Sequence, residues 1–215
     1  TLDGSATTVE VAKATNFALC YGGSGKAVVR STGCDENEGR RIKKQFDDAY
    51  KILANWWSVQ HEHGRRFGFV KTAFGRHYPV PDIQLPRFST DKTGRRINNG
   101  GFIAKAERNA VNGPIQGTGA DIIKLAMSRV YRSCKKRGWL EKVMMIATMH
   151  DELVFEIDLD ILEEAIEIIC EDMASNPVII SRKWRVPLTL DVEAGFNWMV
   201  PWNITEMQHG KEDWA

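Results

Sequence analysis

The 215-residue chain has no apolar run near the roughly 18 residues a bilayer-spanning helix needs, so no membrane partner is expected. Its opening residues, TLDGSATTVE, hold neither the basic cluster nor the apolar stretch of a secretion signal. The cysteines (Cys20, Cys34, Cys134 and Cys170) are widely separated and lack metal-ligand spacing, so they read as reduced thiols of an intracellular, cytoplasmic protein. Repeats and low-complexity segments are also missing. From His150 to Asp172 there is no Lys or Arg, although Asp and Glu are frequent. The opposite imbalance runs from Glu62 to Arg108, where Arg65, Arg66, Lys71, Arg76, Arg87, Lys92, Arg95, Arg96, Lys105 and Arg108 face only Glu62, Asp82, Asp91 and Glu107. A basic stretch beside an acidic one suits a protein that grips a polyanion and also holds cations, although charge runs are more often solvated faces. The length allows one good core or two small ones.

Local patterning predicts an α+β fold, with helices packed on a small antiparallel sheet. Thr7 and Glu10 form a capping box that opens a first helix, ended by Gly22 and Gly23. A second helix is expected over 35–64, where Ile42, Phe46, Ala49, Ile52, Leu53 and Trp56 recur at helical spacing. GFVKTAFGRHYPVPDI reads as a hairpin turning at Gly75-Arg76, and the polar segment from Gln84 to Gly101 as a long loop. A long helix follows over Phe102 to Arg137, with a bend at Gly113-Pro114. VMMIATMHDELVFEI reads as strand, tight turn, strand, and DLDILEEAIEIICEDMAS as a helix burying Ile161, Leu162, Ala165, Ile168 and Ile169. Alternating Val186, Leu188, Leu190 and Val192 predict a last strand.

Three groups of residues carry possible chemistry. Lys13, Phe17 and Tyr21 lie four apart, which stacks an ammonium and two rings on one helix face. That stripe spans about 12 Å, near the reach from base to phosphates of one nucleotide. Taken alone it is more commonly an amphipathic helix with core aromatics. Arg108, Asn112 and Gln116 repeat the spacing and offer a fork donor and two amides, groups suited to sugars, phosphates and minor-groove base edges. His150, Asp151 and Glu152 stand at the apex of the apolar hairpin. Carboxylates on a tight turn can hold Mg²⁺, which wants oxygen ligands and leaves room for substrate phosphates. An isolated HDE is more often only a polar turn.

The order of these groups resembles the C-terminal polymerase region of the A-family DNA polymerases, those similar to bacterial DNA polymerase I. That family's second motif spaces Arg, Lys, Phe or Tyr, and Tyr-Gly four apart, and Lys13, Phe17, Tyr21 and Gly22 match it. GFVKTAFGRHYPVPDI, ERNAVNGPIQGTGADIIK and the third motif, MHDELVFEI, follow in the family's order, and VPLTLDVEAGFNW resembles its closing strand. The resemblance implies a fingers portion over 1–75 and a palm portion with a C-terminal tail over 76–215. It implies primer–template DNA and deoxynucleoside triphosphates as partners. Lys13 would meet the triphosphate, Phe17 the sugar and Tyr21 the templating position. Asp151 would bind metal with Glu152 supporting, His150 would lie near the primer terminus, and Arg108, Asn112 and Gln116 would read the minor groove. In-line attack of a 3′-hydroxyl on an α-phosphate needs two cations about 3.5–4 Å apart. A bacterial or phage-infected cell is the expected setting.

The pattern also breaks. Val9 stands where the second motif has its arginine, which removes a bidentate phosphate donor. The segment from Gln84 to Gly101 is longer than in the family, and the residues after Trp198 run past the family's end. Nothing in TLDGSATTVEV resembles the first motif, which carries the other catalytic aspartate. The chain is therefore expected to be half an active site: a fragment or a split-polymerase subunit, inactive alone. It should complete two-metal nucleotidyl transfer only with a chain or segment bearing the first motif and thumb. The alternative is a non-catalytic DNA-binding or structural subunit derived from such a polymerase.

Overall fold

A computed structural model of the chain describes residues 8–174, 188–196 and 202–203. Contacts divide the chain into two units, Thr1–Asp121 and Ile122–Ala215, and the boundary falls inside one long helix. The element order is α1 (Thr8–Cys20), α2 (Gly25–Thr32), α3 (Glu36–Ala49), α4 (Lys51–Phe67), β1 (Phe69–Lys71), β2 (His77–Pro79), β3 (Phe88–Thr90), β4 (Arg96–Asn98), α5 (Gly100–Arg137), β5 (Val143–Met149), β6 (Glu152–Ile157), α6 (Leu162–Ala174), β7 (Glu193–Ala194) and β8 (Trp202–Asn203). Helices with small antiparallel sheets are the expected α+β class. Among the described residues each sheet is one two-stranded ribbon: β1–β2, β3–β4, β5–β6 and β7–β8. No described helix is long and apolar enough to cross a membrane.

In the first unit, α1 ends before Gly22, whose φ of 76° is easy only for glycine. Thr7, half of the expected capping box, lies outside the described residues. The single helix expected over 35–64 is two helices broken at Tyr50, whose φ/ψ of −113/50° leaves the helical region. The break shifts the phase of the apolar stripe, so Ile52 is 89% exposed while Trp57 is buried. The separate helix α2 was not legible, because at eight residues it is too short for its period to stand out. It crosses α3 at two glycines: a Cβ on Gly39 would sit 2.7 Å from the Gly25 carbonyl oxygen. The segment from Gln84 to Gly101 is no plain loop, since it holds the β3–β4 hairpin in register Phe88↔Asn98, Ser89↔Ile97 and Thr90↔Arg96.

α5 runs unbroken through Pro114. The first unit's core is Val70, Val80 and Ile83 against Ala106 and Ala110 of α5, with Tyr78 packed on it. In the second unit α5 continues into a core of Val130, Cys134, Val143, Ala165 and Ile169. Val143, Phe155 and Ile157 of the β5–β6 ribbon pack there on α5 and α6. α6 buries Ala165 and Ile169 as expected. The predicted last strand is shorter than expected. Leu188, Leu190 and Val192 keep an alternating burial, but the ladder covers only Glu193↔Asn203 and Ala194↔Trp202. Val186 lies outside the described residues.

Candidate active site

On α1, Thr15 and Leu19 face inward, which turns the opposite face, with Lys13 and Phe17, to solvent. Thr15 Oγ1 donates to the Val11 carbonyl at 2.8 Å and shares a 2.7 Å hydrogen bond with Ser31 Oγ, tying α1 to α2. Phe17 is 62% exposed, and its ring centroid lies 4.8 Å from that of half-buried Tyr21. The aromatic half of the stripe is therefore a surface and not a core feature. Val9 is also exposed, so the missing arginine is replaced by an apolar side chain on the helix's first turns.

The end of α1 is held against α4 and α5. Trp57 Nε1 donates to the Cys20 carbonyl at 3.3 Å. A Cβ on Gly22 would lie 3.8 Å from Val111 Cγ2 and 3.9 Å from the Trp57 ring. Tyr21 is thus delivered beside the α5 turn that carries Asn112. On that turn Arg108 and Gln116 are exposed, while Asn112 is half-buried. Among the described residues Asn112 Oδ1 is buried with no hydrogen-bond partner, and a buried acceptor left alone costs about 1–3 kcal/mol.

The β1–β2 hairpin fixes this part of α5. Ala73 N–H donates to Thr118 Oγ1 at 2.8 Å, and Arg76 reaches the Gly117 carbonyl at 3.0 Å and Asp121 Oδ1 at 2.6 Å. The approach is possible only because Gly113 and Gly117 lack side chains: a Cβ on Gly113 would lie 2.6 Å from Tyr78 Cδ1.

In the second unit β5 and β6 pair from Val143↔Ile157 to Met149↔Glu152, leaving His150 and Asp151 as a two-residue turn. His150 has φ 53°, the one positive φ among described non-glycine residues. The left-handed region costs such a residue roughly 1–2 kcal/mol, and strain of this kind clusters at functional sites. His150, Asp151 and Glu152 are all exposed. A bulge at Ile146 interrupts the register between Met145 and Ala147, leaving Ile146 58% exposed. Met144 and Met149 are exposed on the same strand.

Two adjacent carboxylates on a narrow turn fit an oxygen-seeking divalent cation as a partial ligand set. Among the described residues no group of three or more His, Cys, Asp or Glu is gathered around such an ion.

The model of DNA polymerase family A matches residues 5–200. The chain belongs to DNA polymerase family A. It is 30% identical over 187 residues to the DNA polymerase I of Rhizobium leguminosarum, covering 87% of this chain and 17% of that protein. To the DNA polymerase I of Caldicellulosiruptor bescii it is 33% identical over 187 residues, covering 87% of this chain and 20% of the relative. The chain thus spans about a fifth of the length of these curated relatives. Among solved structures, the POL domain of Pol1 from M. smegmatis, in complex with DNA primer-template and dNTP, superposes with a TM-score of 0.65 at 26% identity. That match covers 81% of this chain and 29% of that one.

Within this family A polymerase region, sequence reasoning missed the supports more than the tips. Trp57 braces the end of α1, and Tyr78 and Arg76 clamp α5. The signal available was Gly113 and Gly117, four apart on one helix, which marks close approach of another segment.

Proposed function

We propose that the chain contributes the nucleotide-binding and half of the metal-binding apparatus of a DNA-directed DNA polymerase, with residues 1–75 in the fingers and 76–215 in the palm. The observation that carries this reading is the strained two-residue turn His150–Asp151, where Asp151 on the turn and Glu152 at the start of β6 are both exposed. Membership of family A supports it.

Lys13 would contact the triphosphate and donate a proton to the departing pyrophosphate. Its exposed side chain, two turns from the Tyr21 end, is free to reach the phosphates. Phe17 would lie along the sugar, and Tyr21 would pack at the templating position. Arg108 and Gln116 would reach minor-groove base edges, and Asn112 Oδ1 would accept a hydrogen bond from the DNA. His150 would lie near the primer terminus. Asp151, supported by Glu152, would hold Mg²⁺. Two such ions, when bound, supply neutralisation of charge on the reacting phosphate and a more acidic 3′-hydroxyl.

The remaining carboxylate and the thumb would come from a further polypeptide segment. Among the described residues the β5–β6 ribbon has no third strand, and its exposed Met144, Ile146 and Met149 suit a strand laid beside it. Such an interface would be obligate in character and above about 2,000 Å².

A second reading, a non-catalytic DNA-binding subunit, draws on the exposed Val9 in place of arginine. Primer extension separates the two. With the complementary segment present, Asp151→Asn should slow extension at least about a hundredfold while primer–template binding persists, because the charge that holds the cation is gone. Normal extension by Asp151→Asn would refute the metal-site reading.

A further inference from the structure

The β3–β4 hairpin has no part in the site described above, and its chemistry is distinctive. Arg87, Lys92, Arg95 and Arg96 are exposed within ten residues, and none makes an ion pair with a described residue. The one acid among them, Asp91, is committed to the turn. Its Oδ1 accepts from Thr93 N–H at 2.8 Å, Thr93 Oγ1 at 2.6 Å and Arg95 N–H at 2.9 Å. Four cations therefore stand against one carboxylate, and none of the four is ion-paired with it.

The hairpin is also firmly mounted. Gly94, at φ 84°, closes the turn. At the root, buried Asn99 donates through Nδ2 to the Pro86 carbonyl at 2.8 Å and to Ser89 Oγ at 3.0 Å, and its N–H donates to the Arg87 carbonyl at 3.0 Å. Gly100 N–H donates to Asn98 Oδ1 at 2.9 Å, fastening the root to the first residue of α5. Ser89 and Ile97 are the half-buried pair of the ladder, so its other face, with Phe88, Thr90, Arg96 and Asn98, is turned to solvent. There the Arg96 guanidinium carbon lies 3.8 Å from the Phe88 ring centroid. Stacking fixes the guanidinium plane and leaves its in-plane N–H groups free, which is the arrangement that forks a phosphate.

We propose that this hairpin is an auxiliary grip on the phosphodiester backbone of DNA, separate from the nucleotide and minor-groove contacts. The choice of DNA among polyanions rests on the polymerase reading, because Arg108 and Gln116 lie on α5, the helix to which the hairpin is fastened. The grip is independent of base sequence: uncommitted Arg and Lys side chains on an exposed ribbon neutralise phosphates and read no base edge.

The test is a salt series. The full chain is titrated against fluorescent primer–template DNA, and separately against single-stranded DNA, from low salt upward. Lys92→Gln/Arg95→Gln removes the two tip cations at exposed positions, and unchanged melting would show that the fold is kept. Each lost phosphate contact should flatten the log K against log salt line by about 0.9, or about 1.8 for the pair, and at 0.1 M salt the loss in affinity should be roughly 10- to 60-fold. The DNA form that shows the loss identifies the strand region gripped. An unchanged slope and affinity in both forms, or no DNA binding by the unsubstituted chain at low salt, would overturn the proposal. Primer extension with the complementary segment present keeps the readings apart. The double variant should keep its maximal rate at saturating DNA, whereas Asp151→Asn should lose rate and keep the slope. Normal extension by Asp151→Asn would remove the polymerase reading and leave the slope result standing.

Discussion

Gly113→Ala tests how tightly the β1–β2 hairpin is pressed onto α5. In the middle of a helix, replacing glycine by alanine is ordinarily stabilising by about 1 kcal/mol. Gly119, on the same helix, has nothing within 4 Å of where its Cβ would sit, so Gly119→Ala should realise most of that gain. At Gly113 the new methyl would lie 2.6, 2.8 and 2.9 Å from Cδ1, Cγ and Cε1 of Tyr78, well inside van der Waals contact. The ring cannot simply swing away, because Tyr78 is packed against Val70, Val80, Ile83, Ala106 and Ala110. Overpacking of this kind costs about 1–3 kcal/mol, which outweighs the helical gain. A net loss of up to about 2 kcal/mol is expected, up to about 4–8 °C in melting temperature for a chain of this size. Thermal denaturation of both variants followed by circular dichroism decides it. If Gly113→Ala melts above the unsubstituted chain, as Gly119→Ala should, then the hairpin does not bear on α5 as described.

Two further outcomes follow from named residues. Phe17→Tyr should ease dideoxynucleotide incorporation by the complemented polymerase with little change in normal extension, since a phenolic hydroxyl beside the sugar can stand in for the missing 3′-hydroxyl. Competition between dideoxy- and deoxynucleotides measures it, and unchanged discrimination would remove Phe17 from the sugar. Burial raises the thiols of Cys134 and Cys170 above their ordinary value near 9.0, and for Cys134 the neighbouring Asp172 charge adds to this. In the folded chain these thiols stay neutral where unfolded ones ionise. Their contribution to stability is therefore complete below pH 9 and is lost as pH rises through the raised values. Melting temperature should fall as pH rises above 9.0, less steeply in Cys134→Ala, and an equal slope in the two would refute the assignment.

The elements that the sequence announced are those whose partners are close in the chain. The β5–β6 hairpin is legible because two apolar runs are joined by a two-residue turn, and both strands form as expected. α5 forms over the expected residues as one 38-residue helix that its proline does not break. The break at Tyr50 and the helix α2 were not legible. α2 lies against α3 at Gly25 and Gly39, a contact between helices that local propensity does not encode. The β3–β4 hairpin was hidden by its composition, since polar strands with Gly and Pro between them carry a weak alternation.

By itself the sequence determined the order and spacing of the chemically active groups: Lys13, Phe17 and Tyr21; then Arg108, Asn112 and Gln116; then His150, Asp151 and Glu152. Spacing of four on a helix fixes a shared face, and a two-residue turn fixes an apex, because both follow from backbone geometry alone. Whether those faces meet solvent or core was decided only by tertiary structure. Burial of Thr15 and Leu19 turned Phe17 outward, the bulge at Ile146 exposed one side of the hairpin, and Gly113 and Gly117 let β1–β2 press against α5. The burial of the inner face of α1 and the approach of β1–β2 to α5 join separate segments of the chain, and periodicity within one segment carries no record of what will lie across from it.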